Sequence, residues 1–416
     1  MRWEDQIMNA SLEAGQREAL SWTGQARNGI AGQTAARTRI DSVDLVRGLV
    51  MVLMALDHVR DFFASGGFNP RDVTDPALFM TRWITHFCAP AFVLLAGVSA
   101  FLYGERGRST WQLSRFLLTR GIWLVLIELT LVRFAWTFSF DLGYFFSQVI
   151  FAIGASMIAL SVLVFLPRSA VAAIALVLIA GHNLLDPIKA ESFGPAAPIW
   201  NFLHEPALLQ FGATVKWFAV YPLIPWIGVM AAGYALGPVF TLDRAQRTRW
   251  LVGWGTAAVV VFVSLRASNV YGDPAPWTVQ AGAIATLLSF INCEKYPPSL
   301  LYLAMTIGPT LLLLAAVENA RGRFAAWVTT FGRVPFFYYV VHVFVIHALA
   351  VVFAWASGAE TGWLFGPFPA DKPNGYGLGL PGVFSVWLAV VAALYPLCKW
   401  FAGIKKRRSD WWLSYL

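Results

Sequence analysis

Charge is scarce in this chain. Only 13% of its 416 residues are Asp, Glu, Lys or Arg, where a soluble globular chain carries about a quarter. Cysteine is scarcer still: Cys88, Cys293 and Cys398 lie far apart and match no metal-ligand spacing, which argues against a disulfide framework and leaves three small apolar side chains. No nucleotide-binding glycine loop, zinc-ligand spacing or Gly-x-Ser-x-Gly elbow stands where its structural context would support it. The first forty residues hold no apolar core of the kind a secretion signal needs, so no cleavable signal is expected and the first hydrophobic helix would direct insertion.

Apolar residues dominate what is there. They make up 58% of the chain, with 15% aromatic side chains including 19 Trp and a mean hydropathy of +0.60. Runs of about 18 or more nearly uncharged residues are long enough to cross a bilayer core of about 30 Å, and the Trp content suits rings anchored at two membrane–water interfaces. The expected fold is an all-α polytopic membrane protein with about ten transmembrane helices, at about 45–64, 83–103, 121–138, 144–166, 170–185, 217–240, 250–266, 299–317, 334–355 and 383–403. The apolar stretch 278–292 is too short for a crossing and reads as interfacial or re-entrant. The segment Ile199–Phe211 reads as a short surface helix.

A pI of about 9.5 raises the question of nucleic acid, but in so hydrophobic a chain the basic excess belongs in cytoplasmic loops. With ten crossings and both termini cytoplasmic, Lys and Arg favour the inside segments by about three to one, as the positive-inside rule requires. Residues 1–40 then form a mobile cytoplasmic tail, 41–404 the transmembrane domain and 405–416 a basic cytoplasmic tail. The expected partners are membrane lipid and no nucleic acid, with a homodimer left open. The long loops lie outside, at about 65–82, 186–216, 267–298 and 356–382, and long loops build sites more often than short connectors do.

Ionisable groups within a span are costly and mark function. The first span carries most of them. Asp41 or Ser42 is placed to cap its start, and Asp44 to pair with Arg47. Arg47 and His58 are eleven residues apart, which returns them to one helix face about 16 Å apart along the axis. His58 is flanked by Asp57 and has Asp61 three residues on. His86 lies near the outer end of the second span, at a depth similar to His58, with Pro90 and Gly97 permitting a kink and a close helix contact. Glu128 and Arg133 interrupt the third span, placed to pair with each other or with His58. In the penultimate span Tyr338 and His342 share a face, with Arg333 at its start. His182, His204 and His347 read as structural. The pattern is a membrane-embedded acid/base set with histidine at its centre, and no metal is expected.

Arg39–Gly48 followed by MVLMALDH, then WITHFCAPAFVLLAG, resembles the catalytic-domain family of heparan-alpha-glucosaminide N-acetyltransferase in its bacterial branch, within the transmembrane acyltransferase superfamily. The blocks YPLIPWIGVMAAGYALG (221–237), KYPPSLLYLAMTIGP (295–309) and FGRVPFFYYVVH (331–342) look alike too, so the resemblance covers most of residues 39–355. It implies a multi-pass enzyme of the inner (cytoplasmic) membrane that takes an acyl group, usually acetyl, from cytoplasmic acyl-CoA, with acetyl-CoA as donor substrate. The acyl group passes to a sugar or glycolipid acceptor on the far side, a modification of cell-envelope glycans. Related bacterial O-acyltransferases carry an Arg and a His eleven residues apart on their first helix, as Arg47 and His58 are. The family's lysosomal enzyme instead has Asn at the position of His58 and its catalytic His in the following loop, where this chain has none between residues 59 and 85.

The expected catalytic set is therefore His58, His86, Asp57, Asp61 and His342, with His58 or His86 as the base and Asp57 or Asp61 orienting it. The expected donor-binding set is Arg47, Arg333 and Tyr338, with Arg47 holding a phosphate of acyl-CoA. A proton-coupled transporter or flippase, or a membrane scaffold without catalysis, are the alternatives.

Overall fold

Backbone groups that cannot meet lipid and side chains that avoid water share one solution, the α-helix, and helices form most of the chain in a computed structural model. The described residues are 41–65, 69–367, 372–408, 410 and 413; the expected tail over 1–40 lies outside them. The helices are α1 (Asp41–Phe63), α2 (Pro76–Thr85), α3 (Cys88–Gly104), α4 (Thr110–Ile127), α5 (Arg133–Thr137), α6 (Val149–Leu163), α7 (Arg168–Gly181) and α8 (Ala197–Leu203). The second half adds α9 (Leu223–Leu236), α10 (Arg244–Ser268), α11 (Ala283–Ile291), α12 (Leu300–Ala316), α13 (Arg323–Arg333), α14 (Pro335–Ala356) and α15 (Leu380–Arg407).

Among the described residues, seven helical segments are long and apolar enough to cross a membrane: Pro76–Gly104, Arg168–Leu185, Leu223–Thr241, Arg244–Ser268, Leu300–Asn319, Pro335–Ala356 and Leu380–Arg407. The other three expected spans coincide with helices that fall short. Helix α1 is heavily charged, α4 and its continuation carry Arg115, Arg120, Glu128 and Arg133, and α6 has only 15 residues. Within the 278–292 stretch, Ala283–Ile291 folds as the nine-residue α11, too short to cross. The basic residues Lys405–Arg407 continue α15 rather than starting a separate tail.

Local signals fix the helix starts. Ser109 and Gln112 form a capping box at α4, Asp243 accepts from the Gln246 amide at α10, and Ser299 accepts from the Tyr302 amide at α12. At α1 the expected cap is not made by Ser42: its hydroxyl donates to Glu318 at 2.7 Å, and Arg247 Nη2 holds the same carboxylate at 2.7 Å. That joins the starts of α1 and α10 to the end of α12. Asp44 and Arg47 do pair, at 3.8 Å.

The all-α expectation needs one correction. Tyr144–Ser147 (β1), Ala207–Phe211 (β2) and Val215–Ala219 (β3) form a small sheet in the order β1-β3-β2, with β1 parallel and β2 antiparallel to β3. Each strand hides in an apolar run that reads equally as helix. The supposed surface helix Ile199–Phe211 is thus helical only to Leu203 and then turns into β2. The pairing of Ser147 with Ala219 brings the residues that follow β1 and β3 side by side, and both segments reach the site described below.

Two glycine pairs let helices touch at the backbone. A Cβ on Gly332 of α13 would meet the Asp44 carbonyl oxygen of α1 at 1.8 Å, and one on Gly48 would meet the Val328 carbonyl at 2.0 Å. Gly97 of α3 and Gly233 of α9 interlock in the same way, at 2.1 Å from Met230 O and 2.0 Å from Leu94 O. Such small-residue contacts set helix spacing where hydrophobicity alone cannot. Arg266, at the end of α10 and 1% exposed, is a second anchor. It donates to the carbonyls of Ala275, Ser289, Phe290 and Asn292 at 2.8–3.1 Å and lies 3.6 Å from Asp273.

Gly332→Ala should destabilise the detergent-solubilised protein by about 1–3 kcal/mol or more. Gly253→Ala, where nothing among the described residues lies within 4 Å, should keep or slightly raise the melting temperature; equal melting curves for both variants would contradict this packing. Arg266→Met should lower stability by about 3–5 kcal/mol, as removal of one partner from a buried pair does, and limited proteolysis should then cut within 269–299.

Candidate functional site

The register of α1 sets the site. Met54, Asp57, His58 and Asp61 recur at the three- and four-residue steps that share a helix face, and all four line one pocket of about 120 Å³. Thr85, Cys88 and Ala89 close it from the break between α2 and α3, and Trp136 from α5. The ends of the parallel strands supply Gln148 and Val149 after β1, and Val220 and Tyr221 after β3. The loop between α11 and α12 adds Lys295 and Tyr296.

His58 is held by its neighbours. Its Nδ1 lies 2.7 Å from Nε2 of His342, with ring centroids 4.8 Å apart and only 4° between the ring planes. Trp136 packs edge-on at 4.8 Å. His342 is fully buried, and its Nδ1 lies 2.8 Å from the Tyr338 carbonyl. A carbonyl only accepts, so His342 donates from Nδ1, and a neutral His342 then presents a lone pair at Nε2. His58 must therefore donate from its own Nδ1, which leaves its Nε2 as a basic lone pair on a residue that lines the pocket. The tautomer of each ring follows from a backbone carbonyl four residues before His342. This is the logic by which a fixed hydrogen bond orients a catalytic imidazole.

The expected carboxylate partner is therefore replaced by His342. Asp57 is bound by Arg60 and accepts from Thr85 Oγ1 at 3.0 Å, and Asp61 lies 3.5 Å from Arg60. Arg60 needs both carboxylates because it is itself buried, and a buried charge must be paired. Asp57 and Asp61 still line the pocket.

His86 is 1% exposed. Neither of its ring nitrogens has a hydrogen-bond partner among the described residues, while its carbonyl accepts from Tyr302 at 2.8 Å. It does not line the pocket that His58 lines. Tyr338 is fully buried, stacked on His342 at 4.8 Å, and serves the site through its carbonyl. Arg333 is about half exposed and lies 3.8 Å from Asp41. Arg47 donates to the Leu95 carbonyl at 2.8 Å and bonds Ser99, fastening α1 to α3. Glu128 and Arg133 do not pair with each other or with His58. A π-helical turn, Glu128–Val132, separates them; Glu128 accepts from the Gln148 amide at 3.0 Å, and Arg133 donates to the carbonyls of Asp141 and Ser139. His347 sits between the carbonyls of Ala135 and Leu364 at 2.9 and 2.8 Å, and His204 bonds Asp186 at 3.0 Å.

Sequence reasoning missed Lys295, Tyr296, Tyr221 and Gln148. Lys295 entered there as the first residue of the 295–309 block and one of the loop charges, yet it is the only Lys or Arg between Arg266 and Arg321, and it stands beside a tyrosine and two prolines. That isolation was the available signal. Tyr221 and Gln148 follow strands that read as helix, so no helical periodicity could have pointed to them.

Residues 39–271 match the family model for the heparan-alpha-glucosaminide N-acetyltransferase catalytic domain. The match covers α1 to α10, and with them His58, Asp57, Asp61 and His86, and stops before Lys295 and His342. No curated protein matches the chain. With more than half of its length matched and its apolar helices around a buried histidine site, the chain belongs to the heparan-alpha-glucosaminide N-acetyltransferase catalytic family, whose members are transferases.

Proposed function

We propose that the protein is a transmembrane acetyltransferase that moves an acetyl group from acetyl-CoA to a glycan or glycolipid hydroxyl or amine, with His58 as the general base. One observation carries this reading: the chain from the Tyr338 carbonyl through His342 to His58 leaves an unprotonated ring nitrogen on a residue that lines a small pocket. A neutral imidazole with one ring nitrogen unprotonated can take the acceptor's proton, which is the role of a general base. The acceptor gives its proton to His58 as it attacks the thioester carbonyl, and that proton leaves with the CoA sulfur. His342 holds the base in the productive tautomer. The pocket's size supports a short acyl group: about 120 Å³ is less than the roughly 150 Å³ cavity that accepts a benzene.

Arg47 and Arg333 are the proposed contacts for the donor's phosphates. Arg47 lies on the same helix as His58, about 16 Å away along its axis, so the donor's arm would run beside α1. The charge bias of the loops supports cytoplasmic termini and a cytoplasmic donor side, in the inner membrane of the cell, with the acceptor arriving from the opposite face.

Membranes containing the protein, given labelled acetyl-CoA, should transfer label to lipid or glycan. His58→Ala should lower the rate about 1,000-fold, within the span that general acid–base groups contribute, about 10² to 10⁴. His342→Ala should lower kcat about 100-fold, the lower end of that span, with little change in KM, because it frees the tautomer of His58 and leaves donor contacts intact. Undiminished transfer by folded His58→Ala protein would end the assignment. A transporter or scaffold would give no labelled product at all.

A further inference from the structure

Lys295 is placed by a loop that is held at many points. Asp273 accepts from the Glu294 amide at 2.9 Å and from Ser299 Oγ at 2.6 Å. The Glu294 carboxylate turns back to accept from the amides of Lys295 and Tyr296 at 3.1 and 3.2 Å. Arg266 fastens the preceding Asn292 carbonyl at 3.0 Å. So tightly fixed a loop carries a cation to the wall that His58 also lines.

Lys295 is 8% exposed, and its ammonium lies 5.1 Å from the centre of the Tyr296 ring. Among the described residues it makes no ion pair, since Asp57 and Asp61 are both taken by Arg60. Burial opposes its charge, but Tyr296 and Asp57 outweigh burial and hold its pKa above the ordinary lysine value. A merely structural counter-ion would sit in contact with a carboxylate; Lys295 instead bonds Tyr296 and lines the pocket that His58 lines.

Resting on the acetyl-transfer reading, we infer that Lys295 is a catalytic cation that stabilises the oxyanion formed on the thioester carbonyl. In the step, the acceptor oxygen or nitrogen bonds to the carbonyl carbon while His58 takes the acceptor proton. The carbonyl π pair moves onto oxygen, where Lys295 meets the new negative charge. Collapse re-forms the C=O bond, breaks the C–S bond, and the CoA thiolate takes the proton from His58, giving CoA and the acetylated acceptor. Donors aimed at a developing oxyanion act on the transition state more than on the bound substrate.

The test uses the full-length protein in membranes, with labelled acetyl-CoA and the membranes' own lipids and glycans plus added glucosamine. Lys295→Met should lower kcat about 100- to 1,000-fold, the usual loss for one oxyanion donor, with KM for acetyl-CoA changed less than about threefold, since the lost interaction belongs to the transition state. Lys295→Arg should recover about tenfold of that loss because it restores the charge, and melting temperatures should stay close to wild type. Lys295→Gln serves as the second neutral variant if the Met variant does not fold. Full kcat in a neutral variant, a loss confined to KM, or no recovery with Arg overturns the role of Lys295 while leaving the His58 reading intact. An inactive wild type overturns the acetyl-transfer reading and this inference together.

Discussion

Helix α1 drives Asp57, His58, Arg60 and Asp61 into an apolar bundle, and the rest of the site follows from what those groups require. A charge in a low-dielectric interior persists only when paired, so Arg60 gathers both carboxylates and Thr85 adds a hydroxyl. The imidazole needs a partner that fixes its tautomer, and His342 provides it from α14. Because His342 is itself fixed by the Tyr338 carbonyl, the protonation pattern is anchored in helix backbone rather than in a mobile side chain.

The other walls come from regions far apart in sequence. The parallel pairing of β1 with β3 sets Gln148 and Tyr221 beside the pocket, and Glu128 in the π-helical turn clasps the Gln148 amide. From the opposite half of the chain, Arg266 and Asp273 shape the loop that brings in Lys295. Close glycine contacts between α1 and α13 and between α3 and α9 hold the frame to which these pieces attach. An imidazole, a lysine and two carboxylic side chains thus share one small pocket.

Some of this could be read from residues alone. The charges in α1 stood out because a span should lack them, and the eleven-residue step from Arg47 to His58 came directly from helix geometry. The i, i+4 relation of Tyr338 and His342 correctly foretold a contact. The bond from His58 to His342 could not be foreseen, because it joins residues 284 apart in sequence. Adjacent carboxylates made Asp57 and Asp61 the obvious partners, but proximity in sequence does not reveal that Arg60 would claim both. The strands were hidden in apolar runs too short for periodicity to separate helix from strand. Lys295 looked like one more loop charge because only the folded loop turns it inward.

The most direct test is an experimental structure of the protein with a non-hydrolysable acetyl-CoA analogue bound. The carbonyl carbon of the acyl group should lie about 4–5 Å from His58 Nε2, leaving room for an acceptor atom hydrogen-bonded to the base and within roughly 3–3.5 Å of that carbon, with the carbonyl oxygen turned towards Lys295. An acyl group seated away from His58, or an analogue bound with its thioester outside this pocket, would contradict the assignment of His58 as the base.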